Sequence, residues 1–501
     1  MGTQKHILVE SNFGLHCLNL ENGEKLWAFI NDGLDTVIHG LTSAVDQTNN
    51  LIYYQANNKL YKINALNGSM IAKRGVAVPN KCASGNTILV DDGHGYHILT
   101  YWYDNFAYSG TIRCYDIDLI LEWEVTGLNT TYKNVLCYHD GFVYTGTGDN
   151  FGGVVHEYYA GLQEDCRVIA YDITDGHVEW TAVLSSPANK IYQEEGYGIL
   201  QCIYCNGYLI VAQESARADC PTKILLIDIS DGSVVRSYEA EDWSGACGHP
   251  AFSYGRLYKG DLNTNSVLVW QIGTGAKDDF APFGTHKTND DNAPDTALAT
   301  IDANITAIGS VANGNQGIVI KDGIVYANKG SGVVAFDVDT LAVIKTYVSG
   351  TSWDSSPMVI ENIAEEDILL IKENANKRVI ALDVVTGDQL WVSDADMEGN
   401  LFFGFNYFVS SFIVLIGGMA SAEILTAIND NFTILNALIA NAATIITITS
   451  AVQWDDINAN IASLNTFGVA VDVETITIGM TGQQFNDIIN NFVIAFNSAN
   501  S

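Results

Sequence analysis

Basic residues are scarce. The 501-residue chain carries 24 lysines and arginines against 58 acidic residues, a formal net charge of -34, and no basic residue follows Arg378. A field of that sign repels polyanions, so a protein built to grip nucleic acid is excluded. The N-terminal stretch MGTQKHILVESNFG has only a three-residue apolar core before acidic and polar residues, so neither a signal peptide nor a transit peptide is expected. A clean membrane-length run is also lacking. The longest apolar segment, Asn400 to Gly418, is interrupted by Gly404, Asn406, Ser410 and Ser411 and has no basic flank, which excludes a span. The nine cysteines are an odd number, so complete intramolecular pairing is excluded. Cys202 and Cys205 have ligand or redox spacing but no second pair to match. On a strand their side chains point to opposite faces, and a structural role is expected of them. Cys166 and Cys220 sit in comparable long loops, and an oxidising environment would allow them to pair.

What the chain does have is one phrase written eight times between residues 17 and 391. Its full form is YDITDGHVEW, Tyr171 to Trp180: an apolar strand, a turn at Asp175-Gly176, and a second short strand ending in tryptophan. Cys17–Trp27 and Ile380–Trp391 keep both glycine and tryptophan. Tyr61–Ile71 keeps Gly68 but has Ala72 in the tryptophan place, and Leu226–Val235 keeps Gly232 alone. Cys114–Trp123 keeps only the tryptophan, while Val267–Gly275 and Val334–Ile344 are weaker copies. Each is preceded by another strand signal, such as GFVYTGTG at Gly141 or GIVYAN at Gly323.

A spacing of mostly about 45 to 65 residues per copy accommodates four short antiparallel strands, the unit of a bladed ring in which one blade cannot bury both faces alone. The fold class expected is mainly β, an eight-bladed β-propeller over residues 1–418. The first copy has only one strand signal before it, HILVE at His6 to Glu10. An inner strand from residues 400–409 is therefore expected to complete the first blade and close the ring, removing exposed sheet edges. Trp27, Trp123, Trp180 and Trp391 are expected to be buried between blades, with the glycines in tight turns.

Residues 419–501 have a different texture. Leu425, Trp454 and Phe485 align in one column, Ile428, Ile457 and Ile488 in the next, and Phe432, Ile461 and Phe492 further on. Apolar positions at i, i+3 and i+7 predict helices. Ser450–Gln453 and Thr481–Gln484 have capping-box spacing. Two runs rich in threonine and isoleucine, 443–450 and 469–479, predict strands between them. The expectation is a small α/β module for docking or oligomerisation, with Trp454, Ile461, Phe485 and Phe492 as its apolar contact surface.

The motifs ALDVVTGDQLW and AYDITDGHVEW resemble the repeats of pyrroloquinoline-quinone-type propellers, which include quinoprotein alcohol dehydrogenases and non-enzymatic scaffolds. The resemblance covers about residues 6–418. YTGTGDNFGG, Tyr144 to Gly153, is similar to a glycine-rich strand end of the dehydrogenases. The chain lacks the adjacent cysteine pair of the methanol dehydrogenases, and Asp149 and Asn150 read as turn residues. The C-terminal segments INDNFTILN, DDINANIASLN and NDIINNFVIAFN resemble pieces of bacteriophage tail-fibre and other virion structural proteins, though the usual fibrous shaft is missing.

Together these resemblances imply a virion structural protein, made in a host cytoplasm and oligomeric on the particle. Its partners would be other virion proteins and a host surface glycan or receptor. No enzymatic activity and no cofactor are expected. Calcium and pyrroloquinoline quinone enter only under the alternative, an alcohol or sugar oxidoreductase; a cellular propeller scaffold is a further alternative. The loops 148–166, 213–222 and 276–296 are the candidate binding surface. Trp102, Tyr103, Tyr158, Tyr159 and Trp243 are its expected stacking platforms for a sugar or a subunit.

Overall fold

The computed structural model describes most of residues 4–410 and nothing beyond. Connecting segments are left out, the longest being 148–165, 185–197 and 276–297. Among the described residues there are 33 strands and no helix. They form eight sheets, seven of four strands and one of five, and together an eight-bladed propeller. Numbered along the chain, blade 1 begins at residue 4, blade 2 at 44, blade 3 at 81, blade 4 at 137, blade 5 at 198, blade 6 at 251, blade 7 at 318 and blade 8 at 359. Blade 3 carries a fifth strand, Gly40–Thr42, added parallel to its first strand Lys81–Asp91. In blade 1 the missing strand is Phe403–Ser410, which pairs with Gln4–Ser11. Lys5–Phe408 is one compact unit; the other, Met1–Gln4 with Val409–Ser501, lies almost wholly outside the described residues. The helix and strand expectations for residues 419–501 fall there too.

First strands of successive blades touch one another, as Cys137–His139 does with Gly198–Cys205. They therefore crowd around the ring axis while the later strands fan outward. The sequence pattern follows from this geometry. A third strand such as Arg167–Asp172, sandwiched by neighbouring blades, is buried along its length apart from its ends, whereas the outer strand Val178–Val183 is mostly exposed. A strand covered on both faces needs a continuous apolar run and an edge strand does not.

The repeated phrase forms one local structure. In blade 4 the Asp172 carboxylate accepts the Thr174 N–H at 2.7 Å, and the Gly176 N–H donates to Asp172 O at 2.9 Å. This closes a turn that requires the left-handed φ of +72° at Gly176. Asn19 with Gly23, Asn64 with Gly68 and Asp228 with Gly232 repeat the backbone bond at 2.8–2.9 Å.

The tryptophan belongs to the junction with the next blade. Trp27 Nε1–H donates to Ala65 O at 3.0 Å, Trp123 to Ile173 O at 2.6 Å, Trp180 to Ile229 O at 2.7 Å and Trp391 to Leu20 O at 3.1 Å. Each acceptor is the second residue of the following blade's turn. Each ring also lies flat over the turn glycine. A Cβ added at Gly68, Gly176, Gly232 or Gly23 would stand 2.4–2.6 Å from the indole of Trp27, Trp123, Trp180 or Trp391. The last pair joins blade 8 to blade 1 and completes the circle.

Candidate functional site

Turns between first and second strands, such as Asp140-Gly141 and Asn206-Gly207, bond to the motif turns through Ile173 N to Gly141 O and Ile229 N to Gly207 O. One end of every blade is thereby occupied by tight turns. At the opposite end, the second strands, apolar until then, carry polar side chains: Glu10, Gln55, Thr145, Gln213, Lys259, Asn328, Lys372 and Glu373, all at most 2% exposed. Burying such groups is costly unless they are paired. Eight of them at one end of seven blades form a belt on the second strands.

Part of the belt pins neighbouring blades. The Ser43 N–H donates to the Glu10 carboxylate, and Gln55 Nε2 donates to Tyr101 O at 2.5 Å. Asn86, on the first strand of blade 3, makes two bonds with the Leu136 backbone, at 2.8 and 3.1 Å. Arg378 pairs with the buried Glu373. Burial raises the Glu10 carboxyl to about 7, against the opposing pull of the Ser43 hydrogen bonds and the Lys372 charge.

Another part is unpaired. Among the described residues, both amide atoms of Gln201 and of Gln213, and the Tyr258 hydroxyl, are buried without a hydrogen-bond partner. Gln201 sits on the first strand of blade 5, inside a register break between Ile199 and Cys202, opposite the stretch of second strand that ends in Gln213. Irregularities of this kind re-aim side chains beside binding sites. An unsatisfied amide offers both a donor and an acceptor to a polar ligand.

Of the expected platforms, Trp102 and Tyr103 are corrected. They lie in the second strand of blade 3, 0% and 3% exposed, and the Trp102 indole donates to Thr100 Oγ1 at 2.8 Å. Alternation along a strand between two blades buries both faces, so neither ring is open to a sugar. Tyr158, Tyr159, Trp243, Trp454, Ile461, Phe485 and Phe492 lie outside the described residues, as do Asp149 and Asn150. Cys202 and Cys205 are both buried. Cys166 is buried, its Sγ donating to Thr147 O at 3.2 Å, and Cys220 lies outside the described residues. The belt itself was missed in the sequence. Its signal was a lone polar residue closing the apolar strand before the motif, as in YLIVAQ, RLYKG and IVYAN.

No protein-family model matches the chain, and no curated protein matches its sequence. Solved structures do. The quinohaemoprotein alcohol dehydrogenase of Comamonas testosteroni superposes with a TM-score of 0.50 at 12% identity, covering 84% of this chain and 76% of that one. Apo AztD from Citrobacter koseri gives 0.47 at 8% identity, with 82% and 99% covered. A europium-containing methanol dehydrogenase gives 0.42 at 11%, with 80% and 78% covered. The first match establishes the quinoprotein-like eight-bladed fold.

It also corrects two expectations. A chain without enzymatic activity and without a cofactor was expected, yet the scaffold is one on which a quinohaemoprotein dehydrogenase is built. The virion resemblance of the C-terminal segment finds no counterpart among these structures.

Proposed function

We propose that this chain is an oxidoreductase of the quinone-dependent type, acting on an alcohol or sugar at the belt end of the ring. The observation that carries the reading is the pair of buried, unpartnered amides Gln201 and Gln213. The fold makes it reasonable, and the donor set fits. A quinone of the pyrroloquinoline type presents carbonyls and carboxylates, which amide N–H groups and the positive charges of Lys259 and Lys372 complement. Glu361 and Glu373 are oxygen donors of the kind calcium takes. Bound there, the quinone would supply a two-electron acceptor for oxidation of an alcohol carbon. Glu10, titrating near 7, is the belt residue able to accept a hydroxyl proton at neutral pH.

The test uses the full chain with pyrroloquinoline quinone and calcium, following quinone absorbance on titration and then dye reduction with primary alcohols and aldoses. Saturable binding that Gln201→Ala and Gln213→Ala weaken at least tenfold, with turnover of one substrate class, is expected. Absence of saturable binding by the wild type overturns the reading.

For residues 419–501 the proposal remains docking or self-association through Trp454, Ile461, Phe485 and Phe492, supported by their shared helical register. Trp454→Asp is expected to dissociate the oligomer in sedimentation, and an unchanged sedimentation coefficient would reject the role.

A further inference from the structure

His97, Cys114 and Glu122 come from three adjacent strands of blade 3, Tyr96–Asp104, Ser109–Asp116 and Leu121–Asn129. Cys114 pairs across the ladder with Leu99, two residues beyond His97, so both side chains share a face. On the other side Cys114 faces Trp123 while Tyr115 faces Leu121, which leaves Glu122 as the extra residue of a bulge. A bulge turns the extra side chain toward the face its strand position would deny it. The result is a compact triangle: His97 Nδ1 to Glu122 Oε2 is 2.6 Å, Cys114 Sγ to Glu122 Oε2 3.3 Å and Cys114 Sγ to His97 Nδ1 3.7 Å.

The second imidazole nitrogen is also committed. His97 Nε2 lies 3.2 Å from Asp92 Oδ2, while Asp92 Oδ1 accepts the His94 and Gly95 N–H groups, both at 2.8 Å. Asp92 is thus fixed by its own turn and holds the ring with Nδ1 directed at the thiol and the bulge carboxylate.

We propose that His97, Cys114 and Glu122 bind one divalent transition metal of the zinc type, with Asp92 orienting the histidine. Zinc bonded to sulfur at about 2.3 Å, nitrogen at 2.0–2.1 Å and oxygen at 2.0–2.2 Å requires ligand–ligand edges of roughly 3.4–3.6 Å in a tetrahedron. The two edges at sulfur are already close to that length. The third opens by about 0.8 Å on that geometry, a small rotation of a glutamate side chain. A thiolate and a carboxylate balance the dication, so the site carries no net charge when filled. A carboxylate behind a ligating imidazole is the usual second layer of such centres. Cys114 is 0% exposed and the Glu122 side chain 33%. The fourth position therefore lies on the solvent side, available to water.

Blade 1 provides a built-in control. His6 Nδ1 lies 3.9 Å from Cys17 Sγ in the same arrangement, but the bulge residue between Trp27 and Lys25 is Leu26. A third ligand is missing there. The site stands at the tight-turn end of blade 3, away from the belt, and does not depend on the redox reading.

The full chain, stripped with chelator, is titrated with cobalt(II) as a spectroscopic stand-in. A thiolate-to-metal charge-transfer band saturating at one equivalent is expected, together with a rise in melting temperature on adding zinc. Cys114→Ser removes the band and Cys17→Ser leaves it. Glu122→Gln, at a half-exposed position that does not threaten folding, and Asp92→Asn each lower affinity about 10–100-fold. A wild type with no band, a band that survives Cys114→Ser, or unchanged affinity in Glu122→Gln overturns the assignment.

Discussion

Two blade junctions in the same ring are built differently. Where blade 8 meets blade 1, the Trp391 indole covers Gly23 and bonds to Leu20 O. Where blade 2 meets blade 3, the tryptophan place holds Ala72 and the turn holds Leu119, at φ +63°. The gap is filled otherwise: Lys62 Nζ donates to Ile117 O at 2.9 Å, and Leu119 is itself buried. Tryptophan and glycine are thus a pair across the junction, and here the copy that loses the ring is followed by one that loses the glycine. Blade 7 to blade 8 is a hybrid. There the Lys345 stem lies 3.1 Å from the Cβ position of Gly387, while its ammonium donates to Val385 O at 2.5 Å.

The comparison breaks most severely at the closing junction. Trp391→Ala removes a large buried side chain and its hydrogen bond and is expected to cost about 3–5 kcal/mol, read as a lower denaturant midpoint. Trp391→Phe is expected to recover part of this through packing alone. A Trp391→Ala chain as stable as wild type would show that the indole does not hold the ring shut.

The belt end of blade 1, where Glu10 meets Ser43 beside blade 2, is pH-sensitive. Glu10 is raised from 4.5 to about 7 in the folded chain. The folded state therefore holds that proton more tightly than the unfolded state. The resulting stabilisation is complete below about pH 4.5 and is lost as pH rises through about 7. Its size is on the order of 3 kcal/mol. Glu10→Gln is expected to flatten this limb of the stability–pH curve, and an unaltered curve would assign the dependence to other groups.

A smaller effect is expected from the glycine side. Gly232→Ala imposes a side chain at φ +73° with its Cβ 2.5 Å from the Trp180 ring, and about 2 kcal/mol of destabilisation follows from backbone strain and ring displacement. Ala72→Trp with Leu119→Gly tests the pairing most directly. Each single change is expected to be neutral or harmful, and the double variant is expected to recover about 1 kcal/mol of favourable coupling in a double-mutant cycle.

How much of this was legible depended on whether the signal was periodic. Eight copies of one turn and strand, each with an apolar run before it, imply blades because no smaller unit buries both faces. The belt was harder to see. Gln55, Gln213 and Asn328 each look like an ordinary strand end, and only superposing the blades shows that they occupy one level. Trp102 and Tyr103 misled for the reason that aromatic residues at the end of a strand read alike whether they cover a neighbouring blade or face a ligand.

The sequence by itself determined the local chemistry: the Asx residue that opens most of the turns, the glycine favoured at their left-handed position, and the alternation between covered and edge strands. These depend on neighbours along the chain. Tertiary structure decided which groups meet across blades. It set Trp391 on Gly23 across most of the chain's length, left Gln201 and Gln213 buried without partners, and drew His97, Cys114 and Glu122 into one triangle. The physical reason is that ring closure and a one-residue bulge place side chains by sheet geometry, and neither distance nor facing direction is written in sequence spacing.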